Sequence, residues 1–269
     1  MLICYNICMT NTPETDIFEY LLDDQGWIRV YTQDGGWHSA SFIAQDRHYD
    51  LVFAYMRGFA EVFTIKDNIR NTLMIGGGMY SFPKYVISHY PEVYMDVVEK
   101  DPECFKTACS YFYLDELIDE YHLMNEKRLI TLQEEGRHYL EHTSKKYDVI
   151  FNDAYYGVHY SIDLASVEAV KLMKEHLNED GIYVANLPGY LDLDKSELLL
   201  NELKTLKEVF RYVLLIETYD MVGENEEINY VAFASDGYKK IEGMIPYNLD
   251  GAMVLTDDNS QAYAEYELV

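Results

Sequence analysis

From Thr72 onward the chain alternates short apolar runs with segments whose apolar residues recur three and four positions apart. Short runs of this kind predict strands buried on both faces, the 3.6-residue period predicts amphipathic helices, and their alternation predicts a parallel sheet. Leu73-Met-Ile75 is the first predicted strand, and a helix follows over about 82–89, with Pro83 tolerable in its first turn. The second strand is 93–99. Pro102 opens a second helix carrying Cys104 and Phe105, and 114–123 is a further helical segment. The third strand is 128–133, then a helix over 138–143. The fourth strand, 147–153, is apolar until it ends in polar groups. A long helix over 166–177 buries Val167, Val170, Leu172, Met173 and Leu177, and Asn178-Glu-Asp-Gly181 stops it. Residues 182–187 form the fifth strand and 195–210 another amphipathic helix. Two late strands, 211–217 and 228–234, have only the polar stretch 222–227 between them, so they are predicted to pair antiparallel.

Residues 1–70 carry a different pattern. Trp27-Ile-Arg-Val-Tyr-Thr32 alternates like a half-buried strand, Asp34-Gly35-Gly36 signals a turn, and 37–43 reads as the return strand of a hairpin. A helix over about 50–63 places Leu51, Val52, Tyr55, Met56 and Phe59 on one face. The expected division is a small hairpin-containing unit, 1–70, and a larger unit, 71–269, with a C-terminal tail from 235. There are no internal repeats.

The turn after the first strand holds the first chemistry. Gly76, Gly77 and Gly78 let the backbone approach a ligand. Glu99, at the tip of the second strand, is placed to accept hydrogen bonds from both ribose hydroxyls. Strand, glycine turn, helix, strand and acid make a nucleotide-binding βαβ unit. In Gly76-Gly-Gly-Met-Tyr-Ser81, Ser81 stands where the dinucleotide fingerprint has its last glycine. The ligand expected is therefore one without a pyrophosphate to seat on the helix N-terminus. Glu134-Glu135-Gly136 puts an acid just past the third strand, in reach of an adenine amino group. Asn152-Asp153 ends the fourth strand at the crevice where open sheets bind ligands. These features and the late antiparallel pair favour an S-adenosylmethionine fold over a dinucleotide fold.

Composition narrows the partners. A chain of 269 residues, 49% hydrophobic and 14% aromatic, can bury a substantial core. Its formal net charge of −26 argues against nucleic acid, which needs a basic surface, and permits a cationic small substrate. The acids are spread along the chain, so solubility is the plainer reading of the charge. No apolar run approaches the ~18 residues of a membrane span. The start, Met1-Leu-Ile-Cys-Tyr-Asn-Ile-Cys8, has no basic region before its apolar residues and does not read as a signal peptide. Cys4/Cys8 and Cys104/Cys109 match no common zinc knuckle, and no histidine cluster completes one. The expectation is a cytoplasmic protein with reduced cysteines and no metal.

Several motifs together resemble the polyamine aminopropyltransferases, the spermidine synthase family. They are Leu73-Met-Ile-Gly-Gly-Gly78, Val97-Val-Glu-Lys-Asp-Pro102, Gln133-Glu-Glu-Gly136, Tyr147-Asp-Val-Ile-Phe-Asn-Asp153 and Leu177-Asn-Glu-Asp-Gly-Ile182, in that order. Asp34-Gly35 followed by Ser39, and then Tyr55-Met56, are similar to the family's N-terminal hairpin and the segment after it. Leu255-Thr-Asp-Asp258 resembles the C-terminal end of the bacterial spermidine-synthase-like branch. The resemblance runs over roughly residues 27–260.

It implies an α/β protein. A Rossmann-like S-adenosylmethionine-binding domain, with a mostly parallel seven-stranded sheet and a late antiparallel strand, follows a small β-rich N-terminal domain. It also implies a homodimer that moves an aminopropyl group from decarboxylated S-adenosylmethionine to a diamine such as putrescine. Carried over, Gly76, Gly77 and Gly78 face the ligand, Glu99 holds the ribose and Glu135 stands near the adenine. Asp153 matches the first aspartate of the family's Asp-Ser-Ser-Asp-Pro motif and deprotonates or orients the amine. The motif's second aspartate falls at Tyr156 and its proline at Gly157. His38 replaces a glutamine ahead of Ser39, and Met56-Arg57 replaces acids after Tyr55. Tyr155 and Tyr156 either line the amine pocket through cation–π contact or pack as core aromatics. His38 reads as a substitute base or a structural histidine, and Asp257 and Asp258 as surface or tail-anchoring acids. Methyl transfer from S-adenosylmethionine, and a non-catalytic nucleoside-binding homologue, remain open on the residues.

Overall fold

Four antiparallel strands come first: β1 (Tyr5–Asn6), β2 (Thr15–Leu22), β3 (Gly26–Gln33) and β4 (Gly36–Phe42). The structure, a computed structural model, describes residues 5–6, 15–33, 36–156, 159–219 and 227–263. The hairpin expected from 27–32 and 37–43 is β3–β4, and its Asp34-Gly35 turn lies outside the described residues, as do Cys4 and Cys8. Strand β2 was not legible. Asp16 and Glu19 interrupt its apolar positions, and among its first described side chains only Ile17 is buried.

Two short helices follow, α1 (Ala54–Ala60) and α2 (Val62–Ile65), in place of one predicted helix. Leu51, Tyr55, Met56, Phe59 and Val62 are buried in a core shared with the larger sheet. By packing, this helical part of the first seventy residues thus belongs with the larger unit.

That unit runs β5 (Asn71–Ile75), α3 (Ser81–His89), β6 (Tyr94–Glu99), α4 (Pro102–Tyr111), α5 (Leu114–Glu120), α6 (Leu123–Glu126) and β7 (Leu129–Gln133). It continues α7 (Gly136–His142), β8 (Tyr147–Asn152), the short pair β9 (Tyr155–Tyr156) and β10 (His159–Tyr160), α8 (Val167–Glu175), β11 (Leu177–Tyr190), α9 (Glu197–Val209), β12 (Tyr212–Thr218) and β13 (Glu227–Ser235). Seven strands lie in the order β12-β13-β11-β8-β5-β6-β7, all parallel except β13. Strand β11 is longer than the predicted 182–187. It begins at the helix-stopping segment, with a register shift between Leu177 and Ile182, and beyond Ala185 it pairs only with β13. Pro188, which lacks an N–H, sits in that singly paired part.

Both faces of the sheet are covered, as parallel strands require. Side chains alternate, so Leu73 and Ile75 join Ile150, Val170, Met173, Leu198 and Leu203 on one face. Met74 joins Val97, Val149, Phe82 and Phe59 on the other, around Phe151. The Phe82 and Phe151 rings meet edge-on at 4.8 Å. Each such fully buried side chain contributes about 1.5–3 kcal/mol.

Local signals fix several starts. Asp101 caps α4 by accepting from Glu103 N–H, with Pro102 in the first turn, and Ser166 caps α8 by accepting from Ala169 N–H. The tail returns to the sheet: Met244 bridges Ile216, Leu255 is buried, and Asp257 takes both guanidinium nitrogens of Arg137 at 2.6 Å and the Ser166 hydroxyl at 2.5 Å. Asp257 is therefore an anchor for the tail. Among the described residues no helix is long and apolar enough to cross a membrane.

Candidate active site

The sheet changes winding direction at β5. From it the chain moves outward to β6 and β7 on one side, and to β8 and β11 on the other. A crevice at the C-terminal ends of β5 and β8 is the position where open α/β sheets take ligands. Gly76 continues β5 and Asp153 continues β8. They are held edge to edge, because Asp153 N–H donates to the Ile75 carbonyl at 2.9 Å while Gly76 N–H donates to Val98 at 2.9 Å. Gly76 has φ +89°, and a Cβ there would stand 2.2 Å from the Asp153 carbonyl oxygen, so only glycine fits.

A cavity of about 270 Å³ opens at this point. Gly76, Gly77, Gly78, Glu99, Asp153 and Tyr155 all line it. Glu99 faces the glycine turn: one carboxylate oxygen accepts from Gly77 N–H (2.8 Å) and Gly78 N–H (3.1 Å), the other from Asp101 N–H (2.8 Å). The acid thus holds the shape of the loop as well as facing the space beside it.

Asp153 is strongly perturbed by its surroundings. Burial pushes its carboxyl up to about 6, against an ordinary value of 3.8, and the negative charge of Glu99 adds to the rise. Hydrogen bonds from Asn186 Nδ2 (2.9 Å) and the Tyr55 hydroxyl (3.0 Å) pull it back down. A carboxylate in this state accepts a proton near neutral pH far better than an ordinary aspartate. Tyr55→Phe removes one of the two donors. Its pH–rate profile is therefore expected to move to higher pH than that of the wild type, which titration of kcat/KM against pH would show.

The N-terminal hairpin walls the same cavity through Tyr31, Gln33, Trp37, His38 and Ser39. Ser39 Oγ accepts from Met79 N–H at 3.2 Å, and the Ser81 hydroxyl donates to the Ala40 carbonyl at 2.9 Å. Ser81, which replaces the last fingerprint glycine, therefore ties the first helix of the large unit to β4. His38 Nε2 lies 3.1 Å from the Gln33 carbonyl. Tyr155 lines the cavity from the other side, with its hydroxyl 3.5 Å from the Asn186 carbonyl, and burial raises its phenol well above the ordinary value.

One of the sequence candidates stands apart from this group. Glu135 is exposed and uses both oxygens to cap α7, accepting from Arg137 N–H (3.0 Å) and His138 N–H (2.8 Å). It lines a smaller adjoining crevice with Gly76, Glu99 and Glu134. Tyr156 pairs with His159 through its backbone; its side chain and Gly157 lie outside what the structure describes. Sequence reading assigned no role to Asn186 or Glu227, both of which line the cavity, and none to the Tyr55 hydroxyl. Asn186 had a signal, as the polar residue in the apolar run Ile182-Tyr-Val-Ala-Asn-Leu187. The Tyr55–Asp153 contact spans 98 positions and left none.

Among known proteins, the family model described as "Spermine/spermidine synthase domain" matches residues 53–225, well over half of the chain. A polyamine aminopropyltransferase from Methanocaldococcus jannaschii is 31% identical over 175 residues, which are 65% of this chain and 57% of that protein. The chain spans about half the length of several such curated relatives; one from Hydrogenobaculum sp. is 32% identical over 162 residues, 56% of this chain and 51% of that protein. The crystal structure of a probable spermidine synthase from Corynebacterium glutamicum superposes with a TM-score of 0.65 at 24% identity, covering 85% of this chain and 81% of that one, a likeness of fold.

Proposed function

We propose, on the premise that the chain belongs to the spermine/spermidine synthase family, that it transfers an aminopropyl group from decarboxylated S-adenosylmethionine to a diamine such as putrescine. The curated relatives it resembles are transferases of this kind. The single observation that carries the reading is Asp153: a buried carboxyl pushed up to about 6, lining one cavity with the glycine turn and Glu99.

In the proposed reaction Glu99 holds the ribose of the nucleoside over Gly76, Gly77 and Gly78, and Glu135 stands toward the adenine from the adjoining crevice. Asp153 orients the neutral amine and takes its proton. The amine nitrogen bonds to the aminopropyl carbon beside the sulfonium, the carbon–sulfur bond breaks, and its electron pair stays on sulfur, leaving methylthioadenosine. Proximity supplies much of the rate in such a displacement. Tyr155 and Tyr156 flank the amine.

A diamine needs a second anion, and the motif position that would supply it is Tyr156. Glu227, from β13, lines the same cavity and carries a carboxylate. It is our candidate for the far ammonium. The same reading makes the protein a cytoplasmic homodimer acting on small molecules.

Methyl transfer is the second reading, and Lys100 favours it, as a cation in the cavity lining of the sign that a nucleoside carboxylate would pair with. Calorimetry separates the two. Decarboxylated S-adenosylmethionine is expected to bind more tightly than the carboxylated form, and the reverse order would count against aminopropyl transfer. In the same titration Glu99→Gln is expected to weaken nucleoside binding about 10- to 100-fold, the range for losing hydrogen bonds to a charged group.

A further inference from the structure

Glu134, His138 and His142 recur at four-residue intervals and therefore share one helical face across two turns, from the residue ahead of the α7 cap to its last residue. Glu134 Oε1 lies 2.5 Å from His138 Nδ1 and 3.3 Å from His142 Nε2, and the three potential ligand atoms all fall within 4.8 Å of one another. His142 Nδ1 sits 2.6 Å from the His138 carbonyl oxygen, a bond for which the ring must donate. The ring's other nitrogen, Nε2, is the one turned to the Glu134 carboxylate. A ring nitrogen that donates to a backbone carbonyl, leaving the other nitrogen for the metal, is how metal-binding histidines are oriented.

We propose that Glu134, His138 and His142 bind one divalent metal ion of the zinc type. Two imidazoles and a carboxylate form a zinc-type donor set, with a fourth position open to water; magnesium and calcium prefer all-oxygen sets. Bonds of about 2.0–2.2 Å put tetrahedral ligands roughly 3.3–3.5 Å apart. The Glu134–His142 pair already has that spacing, and His138 reaches it by backing away from Glu134. The histidine side chains are 67% and 52% exposed, so an ion can reach them from solvent. The metal would clip the residue ahead of α7 to its last turn. Glu134 N–H donates to the Glu99 carbonyl at 3.1 Å, so the clip would stiffen the edge of the candidate nucleoside crevice.

The test is calorimetric titration of zinc chloride into the metal-free full chain, with cobalt(II) as the spectroscopic stand-in. We expect one equivalent to bind, cobalt to give the intense visible bands of a tetrahedral site, and the melting temperature to rise with zinc concentration. His138→Ala and His142→Ala should each lower zinc affinity at least about tenfold. Glu134→Gln should lower it too, with the circular dichroism of all three unchanged. Absence of saturable binding overturns the site. So does stoichiometric binding that persists in the double histidine variant, which would assign the ion to the chain's dispersed acids.

Discussion

Asp153→Asn is expected to lower kcat by about 10²- to 10⁴-fold, the usual contribution of a positioned general base, and to leave nucleoside affinity nearly unchanged. In the proposed reaction the carboxylate meets the amine, whereas the nucleoside is assigned to Glu99 and the glycine turn. Retained turnover would remove Asp153 from its role. In the wild type, kcat/KM should rise with pH through about 6, because only the ionised carboxylate accepts a proton. Stability should run the other way. The folded carboxyl holds its proton more tightly than the unfolded one, so the native state binds more protons between about pH 4 and 6, and stability falls as pH rises across that window. Above pH 6 the cost of keeping the buried group charged is fully present, on the order of 2–3 kcal/mol. Asparagine removes the charge, still accepts from Asn186, and lets the Tyr55 hydroxyl turn to accept. The variant should therefore melt several degrees above the wild type at pH 8 and level with it at pH 4, as thermal denaturation at the two pH values would show. An inactive protein that is more stable at alkaline pH identifies a functional acid held against its electrostatic preference.

The second large effect belongs to Gly76→Ala. The added Cβ would lie 2.2 Å from the Asp153 carbonyl oxygen and 2.7 Å from its carbon, both backbone atoms of the neighbouring strand end, at a φ of +89°. Neither atom can yield without moving the loop that carries the catalytic candidate. We expect a loss of more than about 3 kcal/mol, combining backbone strain with overpacking, and a fall in melting temperature of roughly 10 °C, at a few degrees per kcal/mol for a domain of this size. Turnover should be lost even where the variant stays folded, because Asp153 is displaced. Gly237→Ala is the control: nothing lies within 4 Å of its Cβ position, so its melting temperature should barely change.

The two residues also show what a sequence can carry. Leu73-Met-Ile75 ending in three glycines announces a buried strand and a tight turn, because parallel strands covered on both faces read as unbroken apolar runs. The acid-tipped strands ending at Glu99 and Asp153 were readable for the same reason. Contacts between distant segments were not. That Tyr55 and Asn186 would converge on Asp153 depends on how distant segments of the large unit pack, and that the hairpin residues Tyr31 and Gln33 would wall the cavity depends on how the small sheet docks on the large one. Glu135 shows the limit of position alone. It stands at the expected strand end, yet the first N–H groups of α7 need acceptors and both of its oxygens supply them. Strand β2 escaped notice because its acids break the alternation. The Glu134, His138, His142 spacing is visible in the sequence, but only a helix beginning at Gly136 puts the three on one face.

The most direct test of the central claim is product analysis by mass spectrometry after incubating the protein with decarboxylated S-adenosylmethionine and putrescine. The account predicts methylthioadenosine and spermidine in equal amounts, both lost in Asp153→Asn. No methylthioadenosine with putrescine, cadaverine or spermidine as acceptor, or S-adenosylhomocysteine formed from the carboxylated nucleoside instead, would contradict it.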